Sequence, residues 1–314
     1  MNYPMKKSDE KKKNLDCSIA TLTINDKIFF CNNEDFMRAK DQTFILFVPS
    51  QVIPKKWNEP EEEGNDKIFG FTLVGSRFDD KLFPQGGINS EGLSYDINAL
   101  PPTVLKKREG KAWSTAFNFC DILWTNRTVD EVITWFKTHK FPFEKISYQI
   151  HFADALGDAV VIGANEEGEL VYTRKGDKKY LISTNFNLVN HDNCEEYPCK
   201  RFDDATEIAK RLVKKDDVTL DDCVEILKKI HFEYKKEKGT LYSNIFDLVK
   251  RKIYLYHLGN FTQKVEFNFP DEIVSSKFVN EADQYKIAGF TKNGRLDFEG
   301  IQIYTICKLF DAKN

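Results

Sequence analysis

The chain has 314 residues, 41% of them hydrophobic, and carries 46 basic against 49 acidic side chains for a net charge of −3. That length allows one large core or two ordinary domains, and the intermixed charges exclude the one-signed field that gathers nucleic acid or an anionic membrane. No apolar run approaches the roughly 20 residues of a membrane span, the N-terminus lacks the apolar centre of a secretory signal, and seven scattered cysteines suit free thiols in a reducing compartment, so a cytoplasmic protein is expected.

Residues 1–16 (MNYPMKKSDEKKKNLD) are lysine-rich and almost without apolar side chains. They read as a tail or removable pro-segment, with 17–314 as one domain. Composition changes at Cys17, where CSIATLTINDKIFFCNNEDF predicts strands 17–24 and 27–31 around an Asn25-Asp26 turn. Strands follow at 43–49 and 67–76, separated by an acidic, solvated loop around Glu61, Glu62 and Glu63. Residues 83–102 (FPQGGINSEGLSYDINALPP) hold two turns, one short strand and a Pro-Pro stop, a loop-rich stretch of the kind that carries functional groups.

Thr128 with Glu131 makes a capping box, and Val129, Val132, Ile133 and Phe136 recur at helical spacing, predicting a helix over 128–139. Strands are expected at 146–153, 158–164, 169–174 and 179–184, helices at about 202–214 and 219–231, and strands again through 240–314. The simplest architecture is a β-rich core flanked by helices.

A chain that begins at cysteine offers its own α-amino group as general base to its own thiol, so one residue supplies nucleophile and base. The amine titrates near about 7.7–8.0 and the thiol near about 8.5, so the proton passes between them at small cost near neutral pH. This chemistry needs a free amine, hence cleavage between Asp16 and Cys17. The bland alternative is that Cys17 is a small buried hydrophobe at a strand start.

Several segments in order resemble one family. Cys17-Ser18-Ile19 with Phe30-Cys31-Asn32-Asn33-Glu34-Asp35-Phe36 is similar to the opening of the choloylglycine-hydrolase and penicillin V acylase family, which extends to acid ceramidase and isopenicillin-N acyltransferase. Ile88-Asn89-Ser90-Glu91-Gly92-Leu93, then Asn98, resembles its "Asn-Glu-x-Gly-Leu" turn, and Asp154 to Ile162 its next marker. Ser183-Thr184-Asn185-Phe186 resembles its "Thr-Asn" motif, Pro198-Cys199-Lys200-Arg201-Phe202 its later arginine, and Leu241–Asn244 with Lys252–Tyr256 its C-terminal strands.

The resemblance implies an α+β fold, the four-layer αββα Ntn (N-terminal-nucleophile) hydrolase sandwich with two stacked antiparallel sheets. It implies an enzyme that cleaves a linear, non-peptide C–N amide through an acyl-enzyme on Cys17. Asp35 would hold the α-amino group, Asn98 and Asn185 would donate to the oxyanion, and Arg201 would support the charge. Taken alone, Asn98 and Asn185 also suit turns, Asp35 a solvated strand end and Arg201 a helix surface. An acyltransferase would use the same residues, and a non-catalytic binding protein of the same fold is the alternative of another class.

One departure stands out: bile salt hydrolase places an arginine shortly before the aspartate, where this chain has Asn32, which argues against bile salts or penicillin V as substrate. The expected partner is a small amide, with an apolar acyl part near Trp57, Phe69, Phe71 and Trp113 or those rings simply in the core; a homo-oligomer is compatible. His191, Cys194 and Cys199 fit no common zinc spacing, so neither metal nor cofactor is expected. The other histidines, His139, His151, His231 and His257, show no pattern of a Cys-His site.

Overall fold

The computed structural model describes residues 17–37, 39, 42–54, 65–78, 81–112, 120–140, 144–189, 199–269, 291–292, 294–295 and 301–311. The expected leader, the acidic loop, Trp57, Trp113, His191 and Cys194 lie outside them. The N-terminal hairpin forms from β1 (Ser18–Ile24) and β2 (Lys27–Met37), with Asn25 turning at φ 53°, a conformation asparagine tolerates. β2 runs on to Met37, past the expected end at 31, because its polar half lies buried between β1 and a later strand.

Along the chain follow β3 (Thr43–Val48), β4 (Phe71–Phe78), β5 (Lys81–Asn89) and β6 (Ser94–Val104). The strand predicted over 67–76 breaks at Phe69, whose N–H donates to Trp124 O. The loop-rich reading of 83–102 gives way to two strands joined at the Asn89 turn. Pro84 and Pro101 sit in strands where pairing shifts or ends, which is where a residue without an N–H is accommodated.

Next come α1 (Cys120–Thr125), α2 (Val129–Thr138), β7 (Lys145–Ala153), β8 (Ala159–Ala164), β9 (Leu170–Arg174) and β10 (Tyr180–Ser183). The predicted capping box is present in α2, Thr128 accepting from Glu131 N and Glu131 from Thr128 N. Then follow α3 (Lys200–Leu212), α4 (Leu220–Ile230), β11 (Lys238–Asp247), β12 (Lys252–His257), β13 (Asn260–Asn268), β14 (Gln302–Thr305) and α5 (Ile306–Asp311). The terminal IQIYTICKLF, expected as strand, changes to helix at Ile306.

Two antiparallel sheets result, one ordered β10-β1-β2-β11-β12-β13, the other β9-β8-β7-β6-β5-β4-β3-β14. Alternation along each strand sends apolar side chains to both faces. Phe30, Phe47, Val161 and Phe246 fill the space between the sheets. Tyr95, Phe152 and Phe71 pack outward with Trp124 and Phe136 of α1 and α2, and Leu22 and Cys31 outward with Leu212 and Ile226 of α3 and α4. The layers are therefore helix, sheet, sheet, helix: the αββα sandwich. Burial of this kind, worth roughly 25 cal/mol per Å² of apolar surface, is what holds it together.

Candidate active site

Cys17 stands at the head of β1, 4% exposed. The β1–β2 register pairs Ser18 with Asn33, so the next position sets Cys17 beside Glu34. The thiol lies 3.3 Å from Glu34 Oε2 and 4.0 Å from the main-chain oxygen of Asp35. On the other edge of β2, the register pairs Glu34 with Tyr242 and Asp35 with Thr240, a bulge falling between them. Cys17, Glu34 and Tyr242 thus form one row across three strands. The Asp35 carboxylate accepts from Thr240 Oγ1.

The second sheet faces this row with β5 and β6. Asp96 and Asn98 are two apart on β6, hence on one face, while Tyr95 packs outward toward the helices. Asn98 Nδ2 donates to the main-chain carbonyl of Cys17 at 3.1 Å. Gln85 Nε2 donates to Glu34 Oε1. Gly86 leaves room for Asp96: a Cβ there would stand 2.3 Å from Asp96 Oδ2. The Asn89 turn fixes both strands. Its side-chain oxygen accepts from Glu91 N (3.1 Å) and Leu93 N (2.9 Å), and its amide donates to Leu123 O and Asn126 O.

Asn185 follows β10 and Arg201 opens α3. Arg201 Nη1 donates to Cys17 O (3.1 Å) and Ser18 Oγ (2.6 Å), and Nη2 to Asn185 Oδ1 (3.2 Å). Asn185 Nδ2 donates to Ala99 O at 3.0 Å. The Arg201 guanidinium also lies over the Phe232 ring, 5.4 Å from its centroid. Asp35, Phe36, Phe232, Glu233, Lys235, Lys238 and Gly239 line a cavity of about 190 Å³ beside this cluster.

Five residues scattered over 185 positions of sequence therefore meet: Asn98 and Arg201 on the carbonyl of Cys17, Asn185 on Arg201, and Asp35 next to the thiol. Phe71 lies elsewhere, its ring centroid 5.9 Å from that of Trp124 on the helix-facing side of its sheet. His151 is buried between Thr21 Oγ1 and Ser183 Oγ, each 2.9 Å away, and burial lowers its pKa to about 3, so it is neutral. No group of side chains suited to hold a metal ion occurs among the described residues.

Sequence reasoning missed Glu34, Gln85, Asp96 and Tyr242. Burial first, then the neighbouring Asp35 carboxylate, raises the Glu34 pKa to about 8, against opposing hydrogen bonds from Cys17, Gln85 and Asn32. Burial, then Glu34, raises Asp96 well above the carboxylate range. Burial, then Glu34, Asp35 and Asp96, also raises the Cys17 thiol, so sulfur here is a weaker acid than a free cysteine. Tyr242 Oη and Asp96 Oδ2 are buried with no hydrogen-bond partner among the described residues. The signal was in the sequence: four consecutive polar residues, Asn32 to Asp35, inside a strand cannot all reach water.

Residues 22–262 match the family model described as acyl-coenzyme A:6-aminopenicillanic acid acyl-transferase. The structure is similar to penicillin V acylase from Agrobacterium tumefaciens, with 10% identity, 84% of this chain and 89% of that one covered, and a TM-score of 0.60. It is similar also to conjugated bile acid hydrolase from Clostridium perfringens. One variant gives 16% identity, 89% and 98% coverage and a TM-score of 0.59, and another gives 16%, 90% and 99%, and 0.61. At such identities the likeness establishes the fold alone. A comparison with curated protein sequences gives no significant match.

Proposed function

The chain belongs to the acyl-coenzyme A:6-aminopenicillanic acid acyl-transferase family, and from that membership and the site geometry we propose that it is a cysteine Ntn amidase acting through Cys17 once residues 1–16 are removed. The freed α-amine takes the thiol proton, and the sulfur attacks the carbonyl carbon of a linear, non-peptide amide. The oxyanion is stabilised by Asn98 and Asn185. Each primary amide has two N–H groups, and one of each is engaged, on Cys17 O and Ala99 O, which leaves the second for the substrate. The amine product leaves with the proton, and water then releases the acid from the thioester.

The observation that carries this reading is the convergence of Asn98, Asn185 and Arg201 around Cys17, the residue just before β1. The cavity bordered by Asp35, Phe36 and Phe232 suits an apolar acyl chain. Transfer to an amine instead of water is the second reading, favoured by the activity named in the matching family's description. The test is intact mass of purified protein incubated with a panel of N-acyl amides of differing chain length, with product analysis in the presence of a competing amine. Chain shortened to start at Cys17, a transient acyl adduct on it, and free acid as product support the hydrolase. A new amide makes it a transferase. A full-length chain that hydrolyses amides, or activity surviving Cys17→Ala, overturns the mechanism, and binding without any adduct marks a non-catalytic relative.

A further inference from the structure

The free-amine mechanism has a gap at its beginning. Until the Asp16–Cys17 bond is cut, the nitrogen of residue 17 is a peptide amide, with no lone pair available as a base. Self-cleavage, in which Cys17 attacks the carbonyl preceding it, then needs another acceptor for the thiol proton. A base must lie within hydrogen-bond reach of the proton it takes. The groups on the sulfur are Glu34 Oε2 at 3.3 Å and the main-chain oxygen of Asp35 at 4.0 Å, and a peptide carbonyl is no base.

Resting on the reading that Cys17 is freed by self-cleavage, we propose that the Glu34 carboxylate is the base for that cleavage, positioned by Gln85. Glu34 takes the proton from Sγ. The sulfur then bonds to the carbonyl carbon of residue 16, the C–N bond breaks, and Glu34 returns the proton to the departing nitrogen. This leaves a thioester between the residue 16 acyl group and Cys17 Sγ, and a free amine at residue 17. Water hydrolyses the thioester to a carboxylic acid and the thiol.

Placement and environment both suit the task. The β1–β2 register aims Glu34 at the thiol, and Gln85 holds its other oxygen. The groups around it are Cys17 just before β1, Asn32 and Asp35 on β2, Gln85 on β5, Asp96 on β6 and Tyr242 on β11, with neutral His151 of β7 opposite Asp96 in the strand register. Neither Glu34 nor Asp96 forms an ion pair among the described residues, so burial and like charge make Glu34 a far stronger base than a surface carboxylate, titrating at about 8. An ordinary glutamate, at about 4.3, would be too weak to draw a proton from a thiol.

The experiment follows cleavage of the full-length chain by intact mass over pH 6–9, in wild type, Cys17→Ala, Glu34→Gln, Glu34→Asp and Asp35→Asn, with thermal denaturation reporting the fold. Wild-type cleavage is expected to rise about tenfold per pH unit at first and to level off above about 8. Glu34→Gln should cleave about 10²–10⁴-fold more slowly, the usual worth of a general base, and Glu34→Asp should recover part of the rate. In Asp35→Asn the pH midpoint of cleavage should shift down, because the like charge that raises Glu34 is gone, a shift that a packing role would not produce. Should Glu34→Gln fail to fold, that shift decides. Glu34→Gln cleaving at the wild-type rate, or an unmoved midpoint in Asp35→Asn, overturns the assignment of the base while leaving Cys17 as nucleophile. A wild-type chain that is never cut overturns the cleavage reading itself, and the base with it.

Discussion

Arg201 grips Cys17 by its main-chain carbonyl, Nη1 to O 3.1 Å, while its other terminal nitrogen reaches Asn185 Oδ1 at 3.2 Å. One planar fork thereby ties the proposed nucleophile to a proposed oxyanion donor. A lysine offers a single ammonium and cannot match that geometry. Arg201→Lys is expected to lower kcat by up to about 10²-fold, the scale of a misplacement near 1 Å, with KM changed less. Steady-state kinetics beside a melting curve checks this, and a loss of stability with unchanged kcat would make the arginine purely structural.

Asn98→Ala and Asn185→Ala each remove an amide from the rim of the site. If these amides hold the oxyanion, kcat should fall about 10²–10³-fold for each, as for other single donors. Unaltered turnover in correctly folded variants would exclude the role.

Stability should depend on pH through two buried groups of opposite sense. His151 has its folded pKa lowered to about 3 against about 6.5 unfolded, so its contribution is complete above about 6.5 and is lost as pH falls toward 3. Glu34 has its folded pKa raised to about 8 against about 4.3 unfolded, so its contribution is complete below about 4.3 and is lost as pH rises toward 8. The two oppose each other between about 4.3 and 6.5. Above about 6.5 Glu34 acts without His151, and stability should decline. Urea denaturation at pH 6, 7 and 8 should show a shallower decline in Glu34→Gln, and parallel curves would contradict it.

Gly92 sits in the Asn89 turn at φ +86°, where an added Cβ would stand 2.4 Å from Leu248 O. Both the left-handed backbone and the contact oppose a side chain. Gly92→Ala is expected to destabilise the fold by about 1–3 kcal/mol, measured by denaturant unfolding, and to lower activity only as far as it loosens β5 and β6. A variant as stable as wild type would show that the turn relaxes freely.

The helices were legible because their signals are local. Thr128 with Glu131 and the apolar spacing of Val129 to Phe136 specify α2 without help from the rest of the chain. Residues 83–102 were not, since their glycines and prolines signal turns, and only pairing with neighbouring strands makes β5 and β6 of them. The change from strand to helix at Ile306 is likewise decided by packing, where Ile306 and Leu309 join the core between the sheets.

By itself the sequence determined the element types with strong periodicity, the break in composition at Cys17 and, through ordered motifs, the sandwich, and it pointed to Cys17, Asp35, Asn98, Asn185 and Arg201 as candidates. Tertiary structure alone decided that Glu34 touches the sulfur and that Asp96 and Tyr242 stand beside it. The physical reason is reach. Periodicity records which face of its own strand a residue takes, whereas the strength of a buried acid depends on register across three strands and on a second sheet, contacts that no single segment encodes.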